Sequence, residues 1–433
     1  MRILIKGGRV IDPKTNTDKI LDIYIENGVI EDVGENLCPE LEDLHELTKI
    51  DATGKVVSPG LVDMHCHLRD PGQEYKEDIE SGTKSAAMGG FTSVACMPNT
   101  TPPIDCAPMV EYVLSRAKQY GRVNVYPIGA VTRGLKGESL ADIGELKFAG
   151  VVAISDDGRP VQNARLMRRA LEYADMFDTL VVSHCEELQL LDGGVMNEGI
   201  TSTRLGLSGI SNAVEDIQIA RDIILAETTK TRVHICHVST KGGVELVRQA
   251  KKRGVRVTCE TCPHYFTLTE EAVDGFNTNA KMNPPLRTQQ DVDAVIEGLA
   301  DGTVDVIATD HAPHHIDEKN VEFEHALNGI VGFETALGLG ITYLVKTGVL
   351  TLNELLRKMT VNPANLLSIN KGIIAQGKPA DVIIFNPDEE YTVKVSEFSS
   401  KSKNSPYDGF RLNGKVEYTI VGGQIVVNQG ILL

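Results

Sequence analysis

The chain has 433 residues, enough for one large domain plus a smaller one, and with 42% of them hydrophobic it can bury a sizeable core, which argues against disorder. Forty-three basic against sixty acidic residues give a net charge of -17 with no basic stripe, which argues against nucleic acid and anionic membrane as partners. The first residues carry no apolar leader, and no stretch approaches the ~18 uninterrupted apolar residues of a membrane span, so a soluble cytoplasmic protein is expected.

Residues 1 to 57 alternate short β-branched runs with glycine and asparagine turns, among them ILDIYIENGVIEDV with its Asn27-Gly28 hairpin signal. This texture predicts antiparallel sheet. It returns near the C-terminus in Ala380 to Phe385, in KVEYTIV and in QIVV around Gly422-Gly423, so the two ends are expected to pack together as one small domain.

Between them, eight strand-like segments alternate with amphipathic, helix-like ones. The strands are VVSPGLVDMH, Phe91 to Met97, VNVYPIGAV, Val151 to Ser155, LVVSH, RVHICHV, RVTCE and Val304 to Thr309. Segments such as NARLMRRALEYADMF and GVELVRQAKKRG read as the helices. Eight β-then-α units predict an α/β fold of the (β/α)8 type, with six units in an open doubly wound sheet as the alternative. The expected division is 1–57 and 371–433 for the terminal domain and 58–370 for the barrel. The eight cysteines, most of them in apolar runs, are expected to be reduced and buried; Cys259 and Cys262 have metal-clip spacing but no second pair, and stay outside the predicted site.

In such a barrel the chemistry gathers at the C-terminal ends of the strands. Those ends carry His65 and His67, Asp156-Asp157, His184, His237 and Asp310. A lone strand-end aspartate is often a helix cap and a lone histidine often bonds backbone, but their recurrence at one end of successive strands marks a site. Four imidazoles and two carboxylates exceed one tetrahedral site and suit two zinc-like cations sharing a bridging ligand. His234, three residues before His237, is expected on the opposite face, and His264 to be structural.

Two such cations lower the pKa of a shared water from about 15.7 to near neutrality, which predicts hydrolytic attack on a carbonyl. Asp310 is then the candidate proton shuttle to a departing nitrogen. Arg69, Asn99, Asn283 and His314 lie just beyond the metal set and suit a carboxylate in a ring-sized pocket. The competing reading for Arg69 is a rim ion pair with Asp70 or Glu74.

SPGLVDMHCHLRDPG, ACMPNTTPP, ISDDG, SHCE, HICHVST, TCPHYF, NPPLR, ATDHAPH and NGIVGFE together resemble the bacterial dihydroorotases, class I, of the amidohydrolase superfamily, over nearly the whole chain. The resemblance implies a TIM-type barrel of the metal-dependent amidohydrolase kind with a small β-sandwich domain built from both termini. It implies that His65 and His67 hold one zinc and His184 and His237 the other, that Asp157 bridges them, and that Asp310 is ligand and shuttle. His67, Arg69, Asn99, Asn283 and His314 would bind substrate, with the backbone at Asn328-Gly329 closing over the ring. The implied reaction is reversible hydrolysis of (S)-dihydroorotate to N-carbamoyl-L-aspartate in pyrimidine synthesis. A homodimer, and aspartate transcarbamoylase as candidate partner, come with it.

Hydantoinases, allantoinases and some dihydroorotases bridge their metals with a carbamylated lysine at the fourth strand, where this chain has Ser155-Asp156-Asp157. That departure argues against an allantoinase or hydantoinase and leaves occupancy of the second metal open. A non-catalytic scaffold for aspartate transcarbamoylase is the remaining alternative, and the intact ligand set argues against it.

Overall fold

The computed structural model describes residues 1–37 and 47–433. Cys38, expected reduced, lies outside the described residues, and the seven described cysteines are all unpaired.

The N-terminal strands are β1 (Arg2–Asp12), β2 (Thr17–Glu26), β3 (Val29–Gly34), β4 (Leu47–Asp51) and β5 (Val56–Pro59). Asn27 and Gly28 both adopt positive φ, 51° and 85°, which is the backbone a two-residue hairpin between β2 and β3 requires. The sheet is mixed, not antiparallel throughout as its texture predicts. Arg2 to Lys6 of β1 pair in parallel with β4, and Arg9 and Val10 pair in parallel with β5. The change of partner falls at the Gly7-Gly8 bulge, where a Cβ on Gly8 would come 2.4 Å from the Val57 side chain.

The stretch VVSPGLVDMH, expected as one strand, is two. It breaks at Gly60, whose Cβ would meet the Thr92 side chain at 2.1 Å, so only glycine permits the crossing. Beyond it run β6 (Leu61–Cys66), β7 (Phe91–Cys96), β8 (Asn124–Gly129), β9 (Ala153–Ile154) and β10 (Leu180–Ser183). A two-stranded side ribbon follows, β11 (Met196–Asn197) with β12 (Gly209–Ile210), and then β13 (Val233–Ile235), β14 (Val257–Thr261) and β15 (Val306–Ile307).

The eight barrel strands pair in parallel in sequence order, without the order reversal of a doubly wound sheet. First and last meet through a parallel bridge between Cys66 and His311, where the His67 N–H donates to the His311 carbonyl at 2.9 Å. The Thr309 N–H also donates to the buried Asp63 carboxylate at 3.0 Å. These bonds close the barrel.

The outer helices follow their apolar spacing. In Ala164–Asp175 the buried residues are Met167, Ala170, Leu171 and Ala174, one face at helical period, and the Asn163 side chain caps the N-terminus by accepting from Arg165 and Leu166. Burying a residue such as Leu171 stabilises the fold by roughly 1.5–3 kcal/mol.

After the barrel the chain returns as β16 (Val382–Thr392), β17 (Arg411–Val421), β18 (Gln424–Asn428) and β19 (Ile431–Leu432). β16 pairs antiparallel with β5, so both termini build one nine-stranded sheet that folds as the small β-sandwich around Ile3, Ile5, Ile23, Val57, Val382 and Ile420. The loop between β16 and β17 leaves this body for the barrel mouth: Ser402 Oγ donates to the Lys76 carbonyl at 2.7 Å, and Asn404 Nδ2 donates to the carbonyls of Ala312 and Gly329 at 2.9 Å each.

Candidate active site

The six predicted metal-competent residues meet at the C-terminal mouth of the barrel, all buried. His67 Nε2 lies 3.0 Å from Asp310 Oδ1 and 3.5 Å from Asp157 Oδ2. His65 Nε2 lies 3.4 Å from Asp157 Oδ1 and 3.5 Å from Asp310 Oδ1. His184 Nδ1 stands 2.8 Å from His237 Nε2 and 3.5 Å from Asp157 Oδ1. His237, Asp310 and the neighbouring Arg69 adopt positive φ of 31°, 45° and 59°, a strained backbone that turns each side chain inward as its strand ends.

The neighbouring aspartate does something else. Asp156 accepts from the Val131 and Thr132 N–H groups at 2.8 and 3.0 Å and from the Thr132 hydroxyl, so it ties two strand ends together. Burial pushes its pKa up to about 6 against those bonds.

The outward ring nitrogens are held by acceptors that sequence reading missed. His65 Nδ1 faces Glu260 Oε1 at 2.6 Å and His184 Nε2 faces Glu186 Oε2 at 3.3 Å. A carboxylate accepts, so each of these nitrogens donates and the other ring nitrogen turns its lone pair to the centre. His67 Nδ1 is paired in the same way with Asn99 Oδ1 at 2.9 Å. Burial alone would raise Glu260, but the rings of His65 and His234 hold it down to about 2. His234 is not on the opposite face: its Nε2 meets Glu260 Oε2 at 3.3 Å, one layer below the cluster. Strand alternation ends at Ile235, so counting by twos to His237 fails.

These residues fit a divalent cation. His65 Nε2 and Asp157 Oδ1 are buried polar atoms without a hydrogen-bond partner. Burial opposes charge on both, yet three surrounding carboxylates, Asp310, Glu260 and Asp157, push His65 far up, and the rings, His65 foremost, hold Asp157 far down. The pocket demands positive charge at its centre. His65, His67 and Asp310 form one group able to hold an ion, and His65, Asp157 and His237 fall in another that also includes Cys236.

Beside the cluster opens a cavity of about 250 Å³ reached by Arg69, Asn99, Asn283, His314 and Asn328. The rim ion pair does not form: Asp70 takes Tyr112 and Arg116, and Glu74 accepts from the Gly72 N–H. Arg69 donates to the Pro313 carbonyl at 3.2 Å and, among the described residues, has no carboxylate partner. Asn283 Nδ2 donates to Glu186 Oε1 at 3.0 Å, so Glu186 orients His184 and Asn283 together. Burial, then Arg69 and Lys76, push the His314 pKa far down, and its neutral ring donates from Nε2 to the Asn328 carbonyl at 2.8 Å. Gly329 stands behind the cavity wall, its N–H committed to the Lys281 carbonyl at 2.9 Å. Cys259, Cys262 and His264 are buried, and Cys262, His264 and Asp310 place their side-chain ligand atoms within 4.8 Å of one another.

A family described as Dihydro-orotase-like matches residues 54–243, and one described as Amidohydrolase family matches residues 279–427. The chain is 64% identical over 431 residues to the dihydroorotase of Acetivibrio thermocellus and 62% over 433 to that of Ruminiclostridium cellulolyticum, covering 100% of each chain in both cases. It is 56% identical over 427 residues to that of Geobacter metallireducens, with 98% of this chain and 99% of the relative covered. Among solved structures, the L-hydantoinase (dihydropyrimidinase) of Arthrobacter aurescens superposes with TM-score 0.88 at 26% identity over 100% of this chain and 97% of that one. The dihydropyrimidinase of Brevibacillus agri, at 22% identity and TM-score 0.87 over 100% and 96%, shares the fold. With near-complete coverage by relatives of such identity, the chain belongs to the dihydroorotases of the amidohydrolase family.

Proposed function

We propose that this protein is a dihydroorotase, a hydrolase of cyclic amides that interconverts (S)-dihydroorotate and N-carbamoyl-L-aspartate in pyrimidine synthesis. One observation carries the reading: Asp157, whose unpartnered Oδ1 lies 3.4 Å from the equally unpartnered His65 Nε2, lines one small cavity with Arg69, which has no carboxylate partner among the described residues. The first pair suits a cation and the last an anionic substrate. Residues 58–370 would carry the chemistry, with 1–57 and 371–433 as the supporting domain.

Two zinc ions are proposed; His65 and His67 would hold one, His184 and His237 the other, and Asp157 and Asp310 would complete the ligand set. Such ions would supply a water ionised near neutral pH and polarisation of the scissile carbonyl. Asp310, kept ionised against burial by His65 and His67, takes the proton from the attacking water and delivers it to the leaving ring nitrogen. In ring closure the proton runs the other way. Arg69 grips the substrate carboxylate, and Asn99, Asn283, His314 and Asn328 orient the ring.

The hydantoinase fold likeness keeps another cyclic amide as the second reading. Rates on dihydroorotate, hydantoin and allantoin under one set of conditions decide between them; preference for either of the latter two overturns the proposal. No helix among the described residues is long and apolar enough to cross a membrane. A cytoplasmic homodimer, with aspartate transcarbamoylase as candidate partner, belongs to the same proposal.

A further inference from the structure

The segment from Asn320 to Gly329 passes along the cavity with neither helix nor strand of its own, so its carbonyls need donors from elsewhere. Two buried lysines supply them. Lys319 Nζ donates to the carbonyls of Leu327 at 2.7 Å, Gly329 at 3.2 Å and Lys281 at 3.4 Å. Lys281 Nζ donates to those of Phe323 at 2.7 Å and Glu324 at 2.9 Å.

Lys319 is 2% exposed and, among the described residues, forms no ion pair with a carboxylate. Burial, and then the charge of Lys281, push its pKa down to about 7. A charge buried this way opposes folding, and a methionine of similar length would fill the space without that penalty. What methionine lacks is the donors for the two carbonyls that flank Asn328.

Asn328 lines the cavity, and its own carbonyl accepts from His314. Gly329 is pressed so closely to this wall that a Cβ would come 2.4 Å from the Ala312 carbonyl. The wall is therefore clamped from front and back.

We propose that Lys319 is a positioning residue for substrate binding, its ammonium pinning the backbone on either side of Asn328 so that this residue is held against the ring. The inference rests on the dihydroorotase reading and deepens it. Lys319 touches no reacting atom, so its loss acts on binding more than on the chemical step.

The test is Lys319→Met in the zinc-loaded full chain, read in two ways. Kinetics with dihydroorotate are expected to show KM raised roughly tenfold with kcat changed by less than about threefold. Hydrogen exchange, with no substrate present, is expected to be roughly tenfold faster at the 327–330 amides and unchanged in the barrel strands. Wild-type KM together with wild-type exchange overturns the proposal. Should Lys319→Met not fold, Lys319→Gln, neutral but still a donor, is read by the same two assays. A smaller rise in KM and in exchange, confined to this segment, supports the role, and wild-type values overturn it. A wild-type enzyme inactive on dihydroorotate removes the functional reading instead, and the exchange measurement still decides for Lys319.

Discussion

Glu260 and His65, 195 positions apart in sequence, meet inside the barrel with Oε1 2.6 Å from Nδ1 and both side chains sealed from solvent. The contact sets which ring nitrogen of His65 faces the Asp157 and Asp310 carboxylates. We predict that Glu260→Gln lowers metal affinity about 10–100-fold while the fold is kept. Metal content after dialysis against graded chelator measures this, and wild-type retention would remove the orienting role.

Asp310 is the carboxylate closest to His67, at 3.0 Å, and it lies on the cavity. Asp310→Asn keeps the shape and removes the proton acceptor. Turnover is expected to fall by about 10²–10⁴-fold with the fold kept. A variant with most of its activity excludes the shuttle.

Arg69 faces the cavity and, among the described residues, has no carboxylate partner. Losing a charged hydrogen bond worth about 1.5–3 kcal/mol should raise KM for dihydroorotate roughly 10–100-fold in Arg69→Ala. Turnover should also drop, through lost alignment. Steady-state kinetics unchanged from wild type would take Arg69 out of the site.

Chelation should yield an inactive protein that zinc restores. Because a bound ion stabilises only the folded state, the apoprotein is also expected to melt earlier, by about 4 kcal/mol in stability when free metal had been a thousand times Kd. Full activity in a preparation free of metal by elemental analysis contradicts the assignment.

Outside the cavity lining, Glu334 accepts from Ser85 Oγ at 2.8 Å and the Ser399 N–H at 2.7 Å, where burial pushes its pKa from 4.5 up to about 7. The folded state thus holds this proton more tightly than the unfolded one. Its stabilising contribution is complete below the unfolded pKa and is lost as pH rises through about 7. Glu334→Gln should therefore gain on wild type between pH 5 and pH 8, by at most about 3 kcal/mol. Melting curves at the two pH values test it; a difference independent of pH refutes it.

Much of the architecture was legible in the chain. Period-two and helical spacing reveal which face of each element is buried, and eight such alternations imply the barrel. His-x-His at the end of β6, and the histidines and aspartates closing later strands, likewise announce a cluster, because strand ends of one barrel share one mouth. What local pattern misses is where regularity stops. The break at Gly60, the switch of partner in β1 at Gly7-Gly8 and the turned-in His237 are all departures from strand geometry, and His234 was misplaced because alternation was extended past Ile235.

By itself, then, the sequence determined the strand and helix pattern, the family resemblance and the inventory of candidate ligands. Only the tertiary structure decided which groups serve those ligands: Glu260 behind His65, Glu186 between His184 and Asn283, Asn404 and Lys319 behind the wall at Asn328. The physical reason is range. Periodicity is a property of neighbours along the chain, whereas orientation of a catalytic side chain depends on hydrogen bonds from segments that closure of the barrel alone brings within reach.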